Sequence, residues 1–170
     1  METNNQRKTP TVLVPYDFGP KAKTALQEAI KVADFIKGQI YLLSVLQASN
    51  FFTELFKSEK QQREERRHVE NKLKEVILEA RKTYHGNIRY IVEHGSPAEV
   101  ILEQAQIRNA QYIIMGKMSS TVSAFHFIGP LTMHIIASAP CPVITVGENS
   151  IENGRFDNIL LPIDLSKQTL

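Results

Sequence analysis

Gln111-Tyr-Ile-Ile-Met-Gly-Lys-Met-Ser-Ser120, followed by Gly129-Pro-Leu-Thr-Met-His-Ile-Ile-Ala-Ser-Ala-Pro-Cys-Pro-Val-Ile-Thr-Val146, decides the fold. Tyr112 to Met115 is a short apolar run with adjacent isoleucines, the pattern of a strand buried on both faces, and Gly116 breaks it. A loop of about a dozen residues follows. Gly129-Pro130 then opens an amphipathic helix through Ser138, with Leu131, Ile135, Ile136 and Ala139 near helical spacing. Pro140 and Pro142 introduce a last strand, Val143 to Val146. In open parallel sheets ligands bind beyond the carboxyl ends of the strands, so the loop after Gly116 lies where a ligand would sit.

Working outward, the same alternation recurs. Thr11 to Val14 reads as a first strand, and Pro15-Tyr-Asp-Phe-Gly-Pro20 leads into a helix ending at Lys37-Gly38, with Ala22, Ala25, Leu26, Ala29, Ile30, Ala33 and Ile36 on one face. Ile40 to Leu46 is a second strand. After it, Phe51, Phe52, Leu55 and Phe56 form a small apolar face that needs cover from its own domain or from a partner. A long helix spans Glu59 to Thr83, with Val69, Leu73, Val76, Ile77 and Ala80 inward and Glu70 paired with Lys74; Gly86 closes it. Ile88 to Val92 is a third strand. Ser96-Pro97-Ala98-Glu99 then starts another helix, with Ser96 as N-cap, Pro97 at the first position and Glu99 completing a capping box. Strands and helices alternating in this way predict a three-layer α/β/α sandwich on a five-stranded parallel sheet with right-handed crossovers.

Composition narrows the function. Apolar residues are 42% and charged ones 22% of 170 residues, enough to bury a sizeable core in one domain. A net charge of +2, with Lys and Arg interleaved with Glu along helices, gives no field for nucleic acid. No run is long and apolar enough for a membrane span, and Met1 to Lys8 lacks the apolar core of a secretory leader. The single cysteine, Cys141, precludes an internal disulfide and reads as a packed structural thiol, which suits a reducing, cytoplasmic setting.

Residues 1–9 read as a loose tail and residues 10–147 as one domain. A polar linker follows at 148–156, with a turn signal at Asn153-Gly154. Beyond it Asn158-Ile-Leu-Leu-Pro-Ile-Asp164 restates Thr11-Val-Leu-Val-Pro-Tyr-Asp17, with Pro162 and Asp164 matching Pro15 and Asp17. Residues 157–170 therefore read as the opening strand of a second domain.

Candidate chemistry clusters at the carboxyl edge. Asp17 ends the first strand; it can accept hydrogen bonds from a ribose or an amine, or it can cap the next helix, and both readings stand. Gly116 offers a position open to positive φ. Gly129-Pro130 offers a helix N-terminus whose free amides and dipole favour an anion, less the one donor that proline lacks. The chain carries no nucleophile elbow, Walker lysine or His-Glu-x-x-His spacing. His85, His94, His126 and His134 are scattered without metal-ligand spacing, and Met115, Met118 and Met133 read as core or loop filling.

Residues 10–147 resemble the universal stress protein domain. The match is carried by Val12-Leu-Val-Pro-Tyr-Asp17, Gly95-Ser-Pro-Ala-Glu-Val-Ile-Leu102, Tyr112-Ile-Ile-Met-Gly116 and Ala139-Pro-Cys-Pro-Val143, and the repeat at Asn158 resembles the start of a second domain in tandem members. The resemblance implies an adenine-nucleotide α-hydrolase-like, Rossmann-like sheet, dimerisation through the last strand or pairing with the second domain, and, in one subgroup, ATP with Mg²⁺ at the carboxyl edge. That subgroup is marked by Gly-x-x-Gly, nine residues, then Gly-Ser or Gly-Thr. The matching positions here are Gly116, Ser119 and Gly129-Pro130, so two of the four marks differ. The serine that often follows the aspartate by two residues is Gly19. Asp17 matches the nucleotide-contacting aspartate, and Val45 falls where an adenine would be held.

The expected function is a non-catalytic stress-response module that dimerises and keeps a degenerate nucleotide site at Asp17, Val45, Gly116, Ser119 and Gly129. The alternative is an ATP- or AMP-binding sensor with weak or no hydrolysis. A third reading is an apolar site built from Phe51, Phe56, Phe125 and Phe127.

Overall fold

Residues two apart along a strand share a face, and here both faces are apolar, so the sheet must be covered on both sides. The computed structural model describes residues 9–47, 58–117 and 128–147. Its elements run β1 (Thr11–Pro15), α1 (Pro20–Ile36), β2 (Gln39–Leu46), α2 (Glu59–Ala80), β3 (Ile88–His94), α3 (Pro97–Ile107), β4 (Tyr112–Gly116), α4 (Pro130–Ser138) and β5 (Val143–Val146). All strand pairs are parallel, in the order β3-β2-β1-β4-β5. Val12, Val14, Ile40 and Leu42 pack with Ala25 and Ala29 of α1 and Leu73 of α2. Leu13, Leu43 and Ile113 pack with Ile101 and Ala105 of α3 and Ile135 of α4. Helices thus cover both faces, as the alternation predicts.

The topology opens a crevice. The chain builds outward from β1 through β2 to β3, then returns to the other side of β1 for β4 and β5. The β1–β2 ladder continues to Pro15↔Leu43, whereas the β1–β4 ladder is set at Val12↔Tyr112 and Leu13↔Ile113. At this switch point the two connections leave in opposite directions, which is where open α/β sheets place ligands.

Several local readings are corrected. The left-handed residue after α1 is Lys37, at φ 53°, with the Gly38 amide bonding the Ala33 carbonyl at 2.8 Å. Gly38 is required instead by closeness, since a Cβ there would lie 2.8 Å from the Pro10 carbonyl oxygen. α2 ends at Ala80, before Thr83, and turns through Tyr84, whose buried hydroxyl donates to the Gly38 carbonyl at 2.8 Å. Glu70 pairs with Arg66 at 3.2 Å rather than with Lys74, which lies 3.5 Å from the Asn71 side chain. Ser96 is the N-cap of α3, but its side chain makes no capping bond; the capping box forms between Ser58 and Gln61 at α2. Met133 is exposed, as is Ile136, because the buried stripe of α4 runs through Thr132 and Ile135. The tail at 1–8, the Phe51–Phe56 segment, the linker and the opening strand of a second domain lie outside the described residues. No helix among the described residues is long and apolar enough to cross a membrane.

Candidate functional site

β1 ends at Pro15, and the following residues turn tightly into α1. Tyr16 is buried, and that burial, with the Asp17 charge beside it, pushes its phenol above its usual range. Asp17 is exposed, and its Oδ1 accepts from the Gly19 amide at 2.9 Å. This is an Asx turn at the helix entry; the N-cap itself is Gly19, without a side-chain bond. Phe18 between them sits at φ 67°, a conformation bulky side chains rarely adopt. It is held by an edge-to-face contact with Tyr16, centroids 5.4 Å apart, and by the Lys72 ammonium 5.7 Å from its ring centroid.

Above the carboxyl edge lies a cavity of about 500 Å³, within the range of small-molecule sites. Its lining includes Asp17 and Lys21 at the start of α1, Ser44 and Val45 on β2, Ile101 on α3, Gly116 at the end of β4 and Leu131 in the first turn of α4. Asp17, Val45 and Gly116 of the sequence-based set are therefore brought together. Gly129 is placed at the N-cap of α4 but not in the cavity wall, and Ser119, Phe125 and Phe127 lie outside the described residues.

The glycines do not act as their spacing suggests. Neither Gly116 nor Gly129 has a positive φ: Gly129 is extended at φ −64°, and the positive-φ glycine among the described residues is Gly95. Gly116 is demanded by α1, because a Cβ there would meet the Lys21 Cβ at 2.6 Å and its backbone carbon and oxygen at 2.8 Å. Helix and strand touch backbone to backbone at the cavity floor.

At α4, Pro130 occupies the first position, and the first helical bond runs from the Met133 amide to the Gly129 carbonyl at 3.0 Å. The amides of Leu131 and Thr132 have no intrahelical partner by helix geometry. Thr132 is wholly buried, and its Oγ1 has no hydrogen-bond partner among the described residues. An orphaned hydroxyl of this kind is uncommon, and it lies in the same turn as cavity-lining Leu131. His85, His94 and His134 are exposed, and no group of three or more His, Cys, Asp or Glu capable of holding a metal is gathered among the described residues. Half-buried Cys141 packs against the α3–α4 core, and burial pushes its thiol above the usual range.

Sequence reading missed Lys21, Ser44, Ile101 and Leu131 as cavity residues. Lys21 left a signal: it opens a helix whose first turn has no acidic residue, against the preference set by the helix dipole. Ile101 and Leu131 left none, since core packing and cavity lining call for the same apolar side chains.

Comparison with known proteins agrees with this architecture. A universal stress protein of Methanocaldococcus jannaschii is 25% identical over 154 residues, covering 84% of this chain and 85% of that one. Among solved structures, the universal stress protein UspA from Lactobacillus plantarum superposes with a TM-score of 0.65 at 21% identity, covering 81% of this chain and 97% of that one. The universal stress protein from Archaeoglobus fulgidus in complex with dAMP gives 0.57 at 16% identity, covering 81% and 96%. The Universal stress protein family matches residues 8–147, most of the chain and all nine elements described above, and the chain belongs to that family.

Proposed function

We propose that the cavity binds an adenine nucleotide and that the domain is a non-catalytic regulatory module of the stress response. The observation that carries this is the convergence of Asp17, Val45 and the end of β4 on one cavity at the switch point of the sheet. Leu43, Val45, Ile101, Met115 and Leu131 supply an apolar bed suited to a base, while Asp17, with one oxygen committed to the Gly19 amide, keeps the other for a ribose hydroxyl. The dAMP-bound Archaeoglobus protein, and others of this fold crystallised with AMP or cAMP, support an adenylate.

The phosphate end is the weaker half. Pro130 contributes neither amide nor hydroxyl, which leaves the Leu131 and Thr132 amides as donors at α4. Any Mg²⁺ would arrive on the phosphates of ATP, as it commonly does, because no carboxylate cluster is gathered for it among the described residues. Tyr16, neutral with a raised pKa, is a donor rather than a base at neutral pH. Binding without turnover is the function these groups support.

Occupancy would be read by a partner. Among the described residues β5 is an edge strand, with Val143, Ile144 and Thr145 half-exposed, which supports pairing with a second copy or with a second domain. Calorimetric titration of AMP and Mg-ATP into the protein and into Asp17→Ala tests the binding. Micromolar affinity falling at least tenfold in the variant is expected. No heat at millimolar nucleotide would refute the proposal and leave a scaffold whose self-association is the function to measure.

A further inference from the structure

Side-chain capping divides the helices by what they face. The N-terminus of α2 is closed by the Ser58–Gln61 capping box, and no residue of α2 lines the cavity. α1, α3 and α4 all line it, all begin with proline, and none has a side-chain capping bond. Their first turns and the positive ends of their dipoles thus lie around the same space. At α1 the charge pattern is reversed from what an isolated helix prefers. Lys21 and Lys23 occupy its first turn with no acid among them, and cations there oppose the dipole. Of the described residues lining the cavity, Lys21 is the one cation and Asp17 the one carboxylate. The Lys21 backbone is pressed against Gly116, so the root of its side chain is fixed at the end of β4.

We propose that Lys21 is the anion-recognising residue of this cavity, meeting the first phosphate of a bound nucleotide while Asp17 meets the ribose. This rests on the adenylate reading above and deepens it: the cavity selects a nucleotide over the bare nucleoside, and Lys21 makes the selection. Lys21 places a positive charge in the wall of the cavity beside three helix N-termini, the charge that a phosphate calls for.

The test compares AMP with adenosine in the same titration, on the wild-type protein and on Lys21→Met, Lys21→Gln and Lys21→Arg. Methionine keeps most of the aliphatic stem and glutamine keeps a donor, so at least one neutral variant is expected to retain the wild-type melting temperature. Wild type should bind AMP about tenfold or more tightly than adenosine, the worth of one charge-assisted phosphate contact. The neutral variants should lose that gap with adenosine affinity unchanged, and arginine should preserve it. The AMP affinity of wild type should also fall with added salt while that of adenosine does not. A gap that persists in Lys21→Met and Lys21→Gln, or wild type binding both ligands equally, overturns the role of Lys21 and leaves the adenylate reading standing. Wild type binding neither ligand at millimolar concentration overturns both.

Discussion

Replacing Gly116 separates two physical accounts of the same residue. From the spacing alone, this glycine supplies a positive φ for a phosphate loop, so alanine would be strained and asparagine, which tolerates the left-handed region, milder. The structure has no positive φ at Gly116 and instead has Lys21 of α1 against it. An added Cβ would stand 2.6 Å from the Lys21 Cβ and 2.8 Å from its backbone carbon and oxygen, where ordinary contact begins at 3.4 Å. Those neighbours cannot swing aside as a side-chain tip would. α1 must shift by roughly half an ångström or more against a close-packed sheet. Overpacking of this kind costs about 1 to 3 kcal/mol, or roughly 3 to 10 °C in Tm for a domain of this size. Urea unfolding of Gly116→Ala and Gly116→Asn, followed by far-ultraviolet circular dichroism, checks it. Both variants should lose stability, asparagine at least as much as alanine, because the larger side chain meets the same helix. Alanine at wild-type stability, or asparagine clearly the milder, would refute the close-contact account.

Other expectations follow from single contacts. Tyr84→Phe should cost about 1 kcal/mol, since it leaves the Gly38 carbonyl without the phenol that bonds it. Burial raises the Tyr84 pKa above 10.0, so on alkaline titration the unfolded chain loses that proton first. The stability Tyr84 confers is full below pH 10 and is lost as pH rises through its folded value, so the Phe variant should show a shallower decline in melting temperature across that window. Ser58→Ala should destabilise by about 0.5 to 2 kcal/mol, whereas Ser96→Ala should sit near wild type, because Ser58 closes a capping box and Ser96 makes no capping bond. Cys141, its thiol pushed up by burial, should be alkylated by iodoacetamide at pH 8 far more slowly in the native protein than in urea. Equal rates in the two conditions would contradict its packing.

The layered fold was legible because most strands are short apolar runs, those of β1, β4 and β5 closed by Pro15, Gly116 and Gly147, and the helices carry apolar stripes. Val12 through Val14, Ile40 through Leu43 and Ile113 through Met115 could be assigned to a buried sheet with no knowledge of their partners. Details set by distant neighbours were not legible. Nothing in Lys37-Gly38 says that the lysine takes the left-handed turn, because Pro10, remote in sequence, fills the space a side chain at Gly38 would need. Nothing in Ser96-Pro-Ala-Glu99 says that the serine leaves its helix uncapped. At the site, Asp17 and Val45 were found and Lys21 was not, since a search for family marks looks past a residue that carries none of them.

Departures from local preference collect at one edge of the sheet. At the amino edge, α1 closes through Lys37 and Gly38 with a backbone bond to Ala33, α3 closes through left-handed Asn109, and Tyr84 ties the turn after α2 to Gly38. Apart from the left-handed Lys37, these are favourable closures that fix where the helices end. At the carboxyl edge Phe18 is held at φ 67°, three helices start without side-chain caps, Lys21 opposes its own dipole and the Thr132 hydroxyl is buried unpaired. The positive φ of Phe18 and the unpaired Thr132 hydroxyl each cost on the order of 1 kcal/mol or more, and the glycine caps a few tenths. Packing could remove most of them: serine at position 19, an acid at position 21 or valine at position 132 would suit a fold with nothing to bind. Because α1 and α4 both line the cavity and neither start carries a side-chain capping bond, a ligand carrying negative charge bound there can offset both. Ligand binding should therefore stabilise the domain most at α1 and α4, the two helices with the most to gain.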